Sequence, residues 1–528
     1  MRRQNHNRNI LHLSRPLPLS LAGFIFCLFL WYNSYVLILL TYRLIAIMSN
    51  RSLAKNTFFY SASLAVQKAL SFLYFIILAR SIGVADQGRF TFALSFTSIF
   101  AMFLDLGLTQ VLIREVAKNR EHSAKYLANI LGYKLVASAL VYLIIVILVN
   151  ILGYPPLTKS LVYISGFVML LDSLSLSVYG TLRGHQDLMY ESLGVIINQL
   201  TVLIIGGGLL FCGAPLTWVM AVYVLGSLIN FLWSTINLRH KYSVPIIFSF
   251  DWLTIRQLVL ISIPFALAGI FNRIFSAIDI VLLSKLAGDY AVGIYSVAFK
   301  VAFALQFIAL AFSASIYPAF ANYFAHSKEK LSKLFVKSMY WLMFFSLPIS
   351  IGVISIADKV IGPVFGNHYT ASVLPLDILM LSLVFVFLCF PVGAMLNACD
   401  RQARNTWHLG IVAGFSFIAN LILIPIWGYN GSAIANIASY ALLFGLGTIV
   451  VGQVIDYDWK FLLWSASKIL LACLIMYLAV WLLKERTHFI VAIAVGGMTY
   501  FAAAYALGLF RLGSFKDLVR DFKGKSEL

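Results

Sequence analysis

The sequence predicts an all-α polytopic membrane protein. It expects about fourteen transmembrane helices, arranged as two pseudo-symmetric six-helix bundles around a central cavity plus two C-terminal helices. Three observations lead there. Of 528 residues, 61% are hydrophobic and 11% charged, where a soluble domain has roughly 45–50% and about 25%. Apolar stretches of about 20 residues follow one another, the length a helix needs to cross hydrocarbon, whereas a transmembrane barrel would alternate in segments of about ten. A stretch of the first half also returns in the second at a fixed offset. The net charge of +19 raises nucleic acid as a partner, but the basic residues fall mostly between apolar runs, so membrane orientation accounts for them and nucleic acid is excluded. Cys27, Cys212, Cys389, Cys399 and Cys473 lie in or beside apolar runs without metal-ligand spacing, so neither a disulfide framework nor a metal or other cofactor is expected.

The expected spans, in order, are 57–80, 90–113, 127–151, 159–182, 191–212, 216–237, 257–284, 291–318, 334–357, 372–399, 405–426, 431–454, 460–483 and 488–510. Residues 48–240 form the first bundle, 250–456 the second, 457–512 the two extra helices and 513–528 a basic cytoplasmic tail. Residues 1–47 stand apart. Arg2, Arg3, Arg8 and Arg15 precede an apolar run, 17–42, whose insertion would invert every later loop. Its core is too long for a signal peptide and no small-residue cleavage site follows. "MSNRSLAKNTFFY" from Met48 reads as a natural start, so 1–47 is an N-terminal extension from start-site choice, with an extra helix or an interfacial segment as alternatives. Positive residues cluster in alternate loops, among them Arg114–Lys134, Arg239–Arg256, Lys328–Lys337 and Arg511–Lys525. Positive loops are cytoplasmic, which puts both termini in the cytoplasm of a cell with an inner membrane.

The repeat aligns "LARSIGVADQGRF" (78–90) with "LSKLAGDYAVGIY" (283–295), an offset of 283 − 78 = 205. It matches Gly83 with Gly288, Gly88 with Gly293, and Gln67-Lys68 with Asn272-Arg273. "LRGHQDL" at 182–188 is echoed by "CDRQAR" at 399–404, with the offset drifted by about ten. Six spans per repeat is an even number, so the bundles share one orientation and pack about an axis along the membrane normal.

"ARSIGVADQGRF" with "DLGL" at 105–108, "GIYSVAFK" at 293–300 and "NLILIPIWGYNGSAIANIASY" at 420–440 resemble polysaccharide-biosynthesis flippases of the multidrug/oligosaccharidyl-lipid/polysaccharide exporter superfamily. The resemblance covers about residues 50–455. It implies two six-helix bundles around a cavity, plus two helices, that carry a lipid-linked oligosaccharide of the polyprenyl phosphate or pyrophosphate type to the outer leaflet by alternating access. The partners it implies are that substrate, membrane lipids and polysaccharide assembly proteins.

Charges inside the spans mark the site. Lys68, Asp172 and Arg273 fall within about two turns of the midplane, and Asp105, Asp279 and Lys300 between midplane and surface. Each costs roughly 2.5–3.5 kcal/mol at a helix centre and is expected to face the interior. The repeat places Lys68 and Arg273 at matching depths, facing one another across the axis, where two cations would offset desolvation of a crossing phosphate. Lys300 is a third contact, and Gln67 and Asn272 are hydrogen-bond donors to phosphate or sugar. The competing reading pairs Arg273 and Lys68 with Asp172 or Asp105 as helix ties. Asp279, about 240° around the helix from Arg273, cannot pair with it and looks to another helix, such as Lys300. For Asp105, Asp172 and Asp279 structural pairing competes with ion or proton coupling. Pro264 is the expected hinge, and Gly206-Gly207-Gly208 a close helix contact. No catalytic constellation is visible: HExxH is absent, and Gly524-Lys525-Ser526 has Val519 where a phosphate loop needs glycine. Two alternatives remain open, a cation-coupled multidrug exporter and a membrane glycan polymerase or ligase.

Overall fold

A computed structural model of the chain describes residues 53–485 and 489–509, so the 1–47 extension and the 513–528 tail lie outside the described residues. All described elements are helical: α1 (Leu53–Ser81), α2 (Val84–Asp105), α3 (Leu108–Lys118), α4 (Ser123–Ile151), α5 (Pro156–Gly184), α6 (Met189–Thr201), α7 (Gly207–Phe211), α8 (Leu216–Tyr242), α9 (Trp252–Ala304), α10 (Gln306–His326), α11 (Lys328–Phe365), α12 (Val373–Ala398), α13 (Gln402–Gly452), α14 (Trp459–Leu483) and α15 (Phe489–Ala506). At 1.5 Å per residue, the 53-residue α9 would run about 80 Å, far more than a bilayer needs. It turns back at Gly288 (φ 83, ψ 175), and α13 turns back at Gly428 (φ 56, ψ −132), conformations that only glycine adopts without strain. With α2 and α3 as one span bent by 41°, α6 joined to α7 through a π-helical turn, and the second limb of α9 continuing into α10, fourteen spans result.

The repeat is written into the backbone. Gly213 and Gly428 both have positive φ at turns on one end of the bundle, and Gln186 and Asp400 both do so at the basic end. Their offsets, 428 − 213 = 215 and 400 − 186 = 214, are the drifted register. The halves also touch through equivalent residues. A Cβ on Gly88 would collide with the Asp289 carbonyl, and a Cβ on Gly293 with the Val84 carbonyl. Since 84 and 88 align with 289 and 293, the two contacts are mates about one pseudo-twofold axis, as in a self-complementary dimer. The missing side chains let the helices meet at backbone distance, which is why glycine stands at both places.

Two seams join the halves, and they differ. α2 runs along the first limb of α9: Met102 lies over Gly269, and Gly107 leaves room for Phe265, whose Cβ would be 2.7 Å from an added methyl. The seam between α1 and the second limb of α9 closes only toward the end opposite the basic loops. There Lys300 of α9 reaches Ser71 of α1 at 3.3 Å, and Phe72 and Phe75 of α1 set their rings edge-on to Phe365 of the neighbouring α11 at 6.3 and 6.2 Å. Toward the basic end α10 makes no more than marginal contact with α1 among the described residues.

Lys134, read as part of a basic loop, is instead fully buried eleven residues into α4. Its ammonium donates to Asp105 Oδ1 at 2.7 Å and to the Ser173 carbonyl at 2.9 Å. Thr109 donates to the same Asp105 oxygen. Of the glycine triplet, only Gly206 makes a close approach, to the Tyr74 ring, while Gly207 and Gly208 border open space. Backbone dihedrals stay helical through position 264, the break in α9 falling at Gly288. The last two helices lean on α11, where Tyr500 donates to the Phe344 carbonyl at 2.8 Å.

Candidate functional site

The site lies at the closed part of the α1/α9 seam. Lys68, Ser71 and Phe75 fall within about 60° of one another on α1, because residues three, four and seven apart share a helix face. From the other half, Lys300 donates to Ser71 Oγ at 3.3 Å and sits over the Phe75 ring, 5.4 Å from its centroid. Lys68, one turn earlier and exposed, is close enough for the two ammonium groups to repel. The structure thus brings Lys68 to Lys300. Arg273 stands apart on the first limb of α9, exposed beside exposed Asn272, with no direct contact to either lysine among the described residues. Its neighbours Phe271 and Phe275 pack on Gly410 and Tyr440 of α13. Gln67 is half-buried.

None of Lys68, Arg273 and Lys300 forms an ion pair among the described residues. Of the three carboxylates, two are engaged elsewhere. Asp105 belongs to Lys134, not to Lys68 or Arg273. Asp279 is not the partner of Lys300: its Oδ2 accepts from the Tyr295 hydroxyl at 2.9 Å and from Asn436 Nδ2 at 3.1 Å, while Oδ1 is buried without a partner. Ser382 donates to Asn436 Oδ1 at 2.8 Å and completes that network. Asp172 is exposed and has no cation partner among the described residues.

Sequence reasoning missed Ser71 and Phe75, which carry no charge and lie 229 and 225 positions from Lys300. It also missed the clasp at the end of the seam. There Arg89 Nε donates to Asp289 Oδ2 at 3.0 Å, and Arg89 Nη1 donates to Asp86 at 2.7 Å. Lys285 Nζ donates to the Leu152 carbonyl at 2.7 Å. The repeat motifs held the signal, since Arg89, Asp289 and Lys285 all lie in them. Chemically, the arrangement offers anion binding: cations without counter-ions, flanked by a hydroxyl and an aromatic face. Among the described residues no cluster of three metal-ligating side chains occurs.

Comparison with known proteins agrees with the fold and the motifs. The family model described as polysaccharide biosynthesis protein matches residues 53–324, and the MatE model matches residues 264–426. A probable low-salt glycan biosynthesis flippase of Haloferax volcanii is 22% identical, over 71% of this chain and 78% of that protein. A capsular polysaccharide biosynthesis protein of Staphylococcus aureus is 20% identical, over 69% of this chain and 90% of that one. Among solved structures, the lipid II flippase MurJ in an inward closed conformation superposes with a TM-score of 0.72 at 15% identity, over 87% of this chain and 99% of that one. An inward-facing MATE multidrug transporter gives 0.58 at 16% identity, over 74% and 95%. The first match spans just over half of the 528 residues, and this multi-pass membrane protein is therefore a member of the polysaccharide biosynthesis protein family.

Proposed function

We propose that the protein is a flippase that moves a lipid-linked oligosaccharide, on a polyprenyl phosphate or pyrophosphate, across the cytoplasmic membrane by alternating access for surface polysaccharide synthesis. The observation that carries the reading is the pair Lys68 and Lys300, cations without carboxylate partners at the point where the α1/α9 seam stops being closed. The basic end is cytoplasmic, with both termini there. The open stretch of the seam then gives the cytoplasmic leaflet a lateral way in, and the lysines meet the phosphate at its end. A charge-assisted contact to a phosphate oxygen is worth roughly 1.5–3 kcal/mol, enough to offset part of the cost of desolvating it. Arg273, fixed in charge and able to bind two oxygens at once, takes the phosphate further along α9, with Gln67 and Asn272 donating to phosphate or sugar. Bodies 48–240 and 250–456 rock about the glycine contact, with Pro264 as a hinge. Asp279, with one oxygen unpartnered, is the group best placed to couple an ion or proton.

One observation favours a second reading, a cation-coupled multidrug exporter: Asp172 is an exposed carboxylate without a cation partner among the described residues. Lys300→Gln separates the two. Flipping of a lipid-linked glycan should be lost while the protein remains in the membrane fraction, and unchanged surface glycan would remove the phosphate role.

A further inference from the structure

We propose that Ser71 and Phe75 are positioning residues that hold Lys300 as the inner bolt of the outer seal, and that the substrate's phosphate opens the seal by drawing Lys300 away from them. The proposal rests on the reading that Lys300 meets the phosphate. The outer seal has two tiers. The outer tier is the Gly88/Gly293 contact, the Arg89–Asp289 ion pair and Lys285 on the Leu152 carbonyl. The inner tier is Lys300 on Ser71 and over Phe75. Both tiers hang on one helix face, since Asp289, Gly293 and Lys300 point within about 40° of each other at 100° per residue. Motion that lifts this face from the first half breaks both, and holding Lys300 on α1 resists that motion.

The bolt is weak by construction. A neutral hydroxyl at 3.3 Å and an aromatic face hold the ammonium, and Lys68 nearby opposes it. A phosphate oxygen is a stronger, charge-assisted acceptor, and its charge also cancels the repulsion between the lysines. A ligand shifts a conformational equilibrium only through differential affinity for the two states. Here the sealed state spends Lys300 on α1, so an anion that needs Lys300 favours the unsealed one. Position 95, which the repeat aligns with Lys300, is a serine, so the bolt is not duplicated by symmetry.

The test is amide hydrogen exchange of the seal segments 84–92 and 289–297 in nanodisc-embedded protein, with farnesyl diphosphate as probe and farnesol as its uncharged control. Exchange should rise about tenfold with the diphosphate and stay unchanged with the alcohol. Ser71→Ala and Phe75→Leu should raise exchange about threefold to tenfold without any ligand, the range expected for a lost cation–π contact. Phe75→Trp should return it to the wild-type level, which a merely steric role would not do. Lys300→Gln should exchange fast and ignore the diphosphate. Wild-type exchange in Ser71→Ala and Phe75→Leu overturns the proposal. So does diphosphate binding that depends on Lys300 yet leaves exchange unmoved, a result that keeps the phosphate site. Binding indifferent to Lys300, Lys68 and Arg273 removes the site and the bolt together.

Discussion

Lys134 and Lys300 are the same residue type inside apolar helices, and the fold treats them oppositely. Lys134 has no exposed surface, an aspartate at 2.7 Å and a backbone carbonyl at 2.9 Å. Lys300, half-buried, has a serine hydroxyl and a phenyl ring, and Lys68 beside it has no ion pair. A charge in the hydrocarbon is tolerated when something compensates it. In the first case the protein supplies the compensation, so the charge ties α2, α4 and α5 together. In the second it does not, and under the proposed function a substrate phosphate would supply it. The difference in partners is the ground for treating Lys134 as structural and for proposing a binding role for Lys300.

The comparison breaks most visibly at Asp105. Asp105→Asn leaves Lys134 buried with its charge uncompensated, which should cost about 3–5 kcal/mol and show as a large drop in the thermal unfolding temperature of the purified protein. Asp105→Asn with Lys134→Met should recover most of that loss, because removing both charges is often neutral. Wild-type stability in the single variant would mean that Lys134 finds water, and that burial does not distinguish the two lysines.

The opposite signature is expected at the seam. Lys68→Gln should unfold at or above the wild-type temperature, since it removes a like-charge repulsion and no ion pair, and Lys300→Gln close to it, since the same relief offsets the lost contacts with Ser71 and Phe75. Transport should instead suffer, with apparent affinity for a lipid-linked glycan falling roughly tenfold to a hundredfold for a lost contact of about 1.5–3 kcal/mol. Substrate titration of flipping in proteoliposomes reads this directly. A Lys300 variant that loses stability and transport together would return it to the structural class.

Much of the fold was legible because hydrophobic runs and turn glycines act locally. All fourteen spans lie where hydropathy put them, and of the repeat's matched glycines the structure places Gly88 and Gly293 at the contact between the halves and Gly288 at a turn. The misreadings have physical causes. α2 begins at Val84 rather than 90, because Asp86, Gln87 and Arg89 look like loop residues until the other half supplies Asp289. The bend after α2 was hidden, since Leu106 takes φ 42, a conformation leucine disfavours. Lys134 sat among loop cations in the sequence, and only the packing of three helices reveals its aspartate. Lys300 was named as a partner for Asp279 on another helix, whereas Asp279 Oδ2 is taken by Tyr295 across a helical hairpin and by Asn436. Charge signals depth within one helix, but which helix it faces is a long-range property.

The glycine contact between the halves carries a smaller effect. Gly88→Ala puts a methyl against the Asp289 carbonyl and Gly293→Ala puts one against the Val84 carbonyl, both backbone atoms that cannot rotate aside. Either change should cost about 1–3 kcal/mol as the helices move apart. The cost should fall on the sealed state, so transport should change more than thermal stability does. If the axis is a true pseudo-twofold, the two variants should resemble each other. A mild Gly88→Ala beside a disabling Gly293→Ala would show that the halves do not share the contact equally.

The smallest effect is expected where the repeat exchanges one cation for another. Position 68 is lysine and its equivalent, 273, is arginine, so Lys68→Arg and Arg273→Lys test whether charge alone suffices. Arginine offers a planar fork that binds two phosphate oxygens, while lysine is a compact point charge. Arg273→Lys should therefore lower flipping less than tenfold where Arg273→Ala abolishes it, and Lys68→Arg should change it less still, since a larger head in an exposed position has room to settle. Initial flipping rates at limiting substrate would resolve the order. Were Arg273→Lys as inactive as Arg273→Ala, the guanidinium would be acting through its shape, by binding two oxygens at once where a point charge cannot.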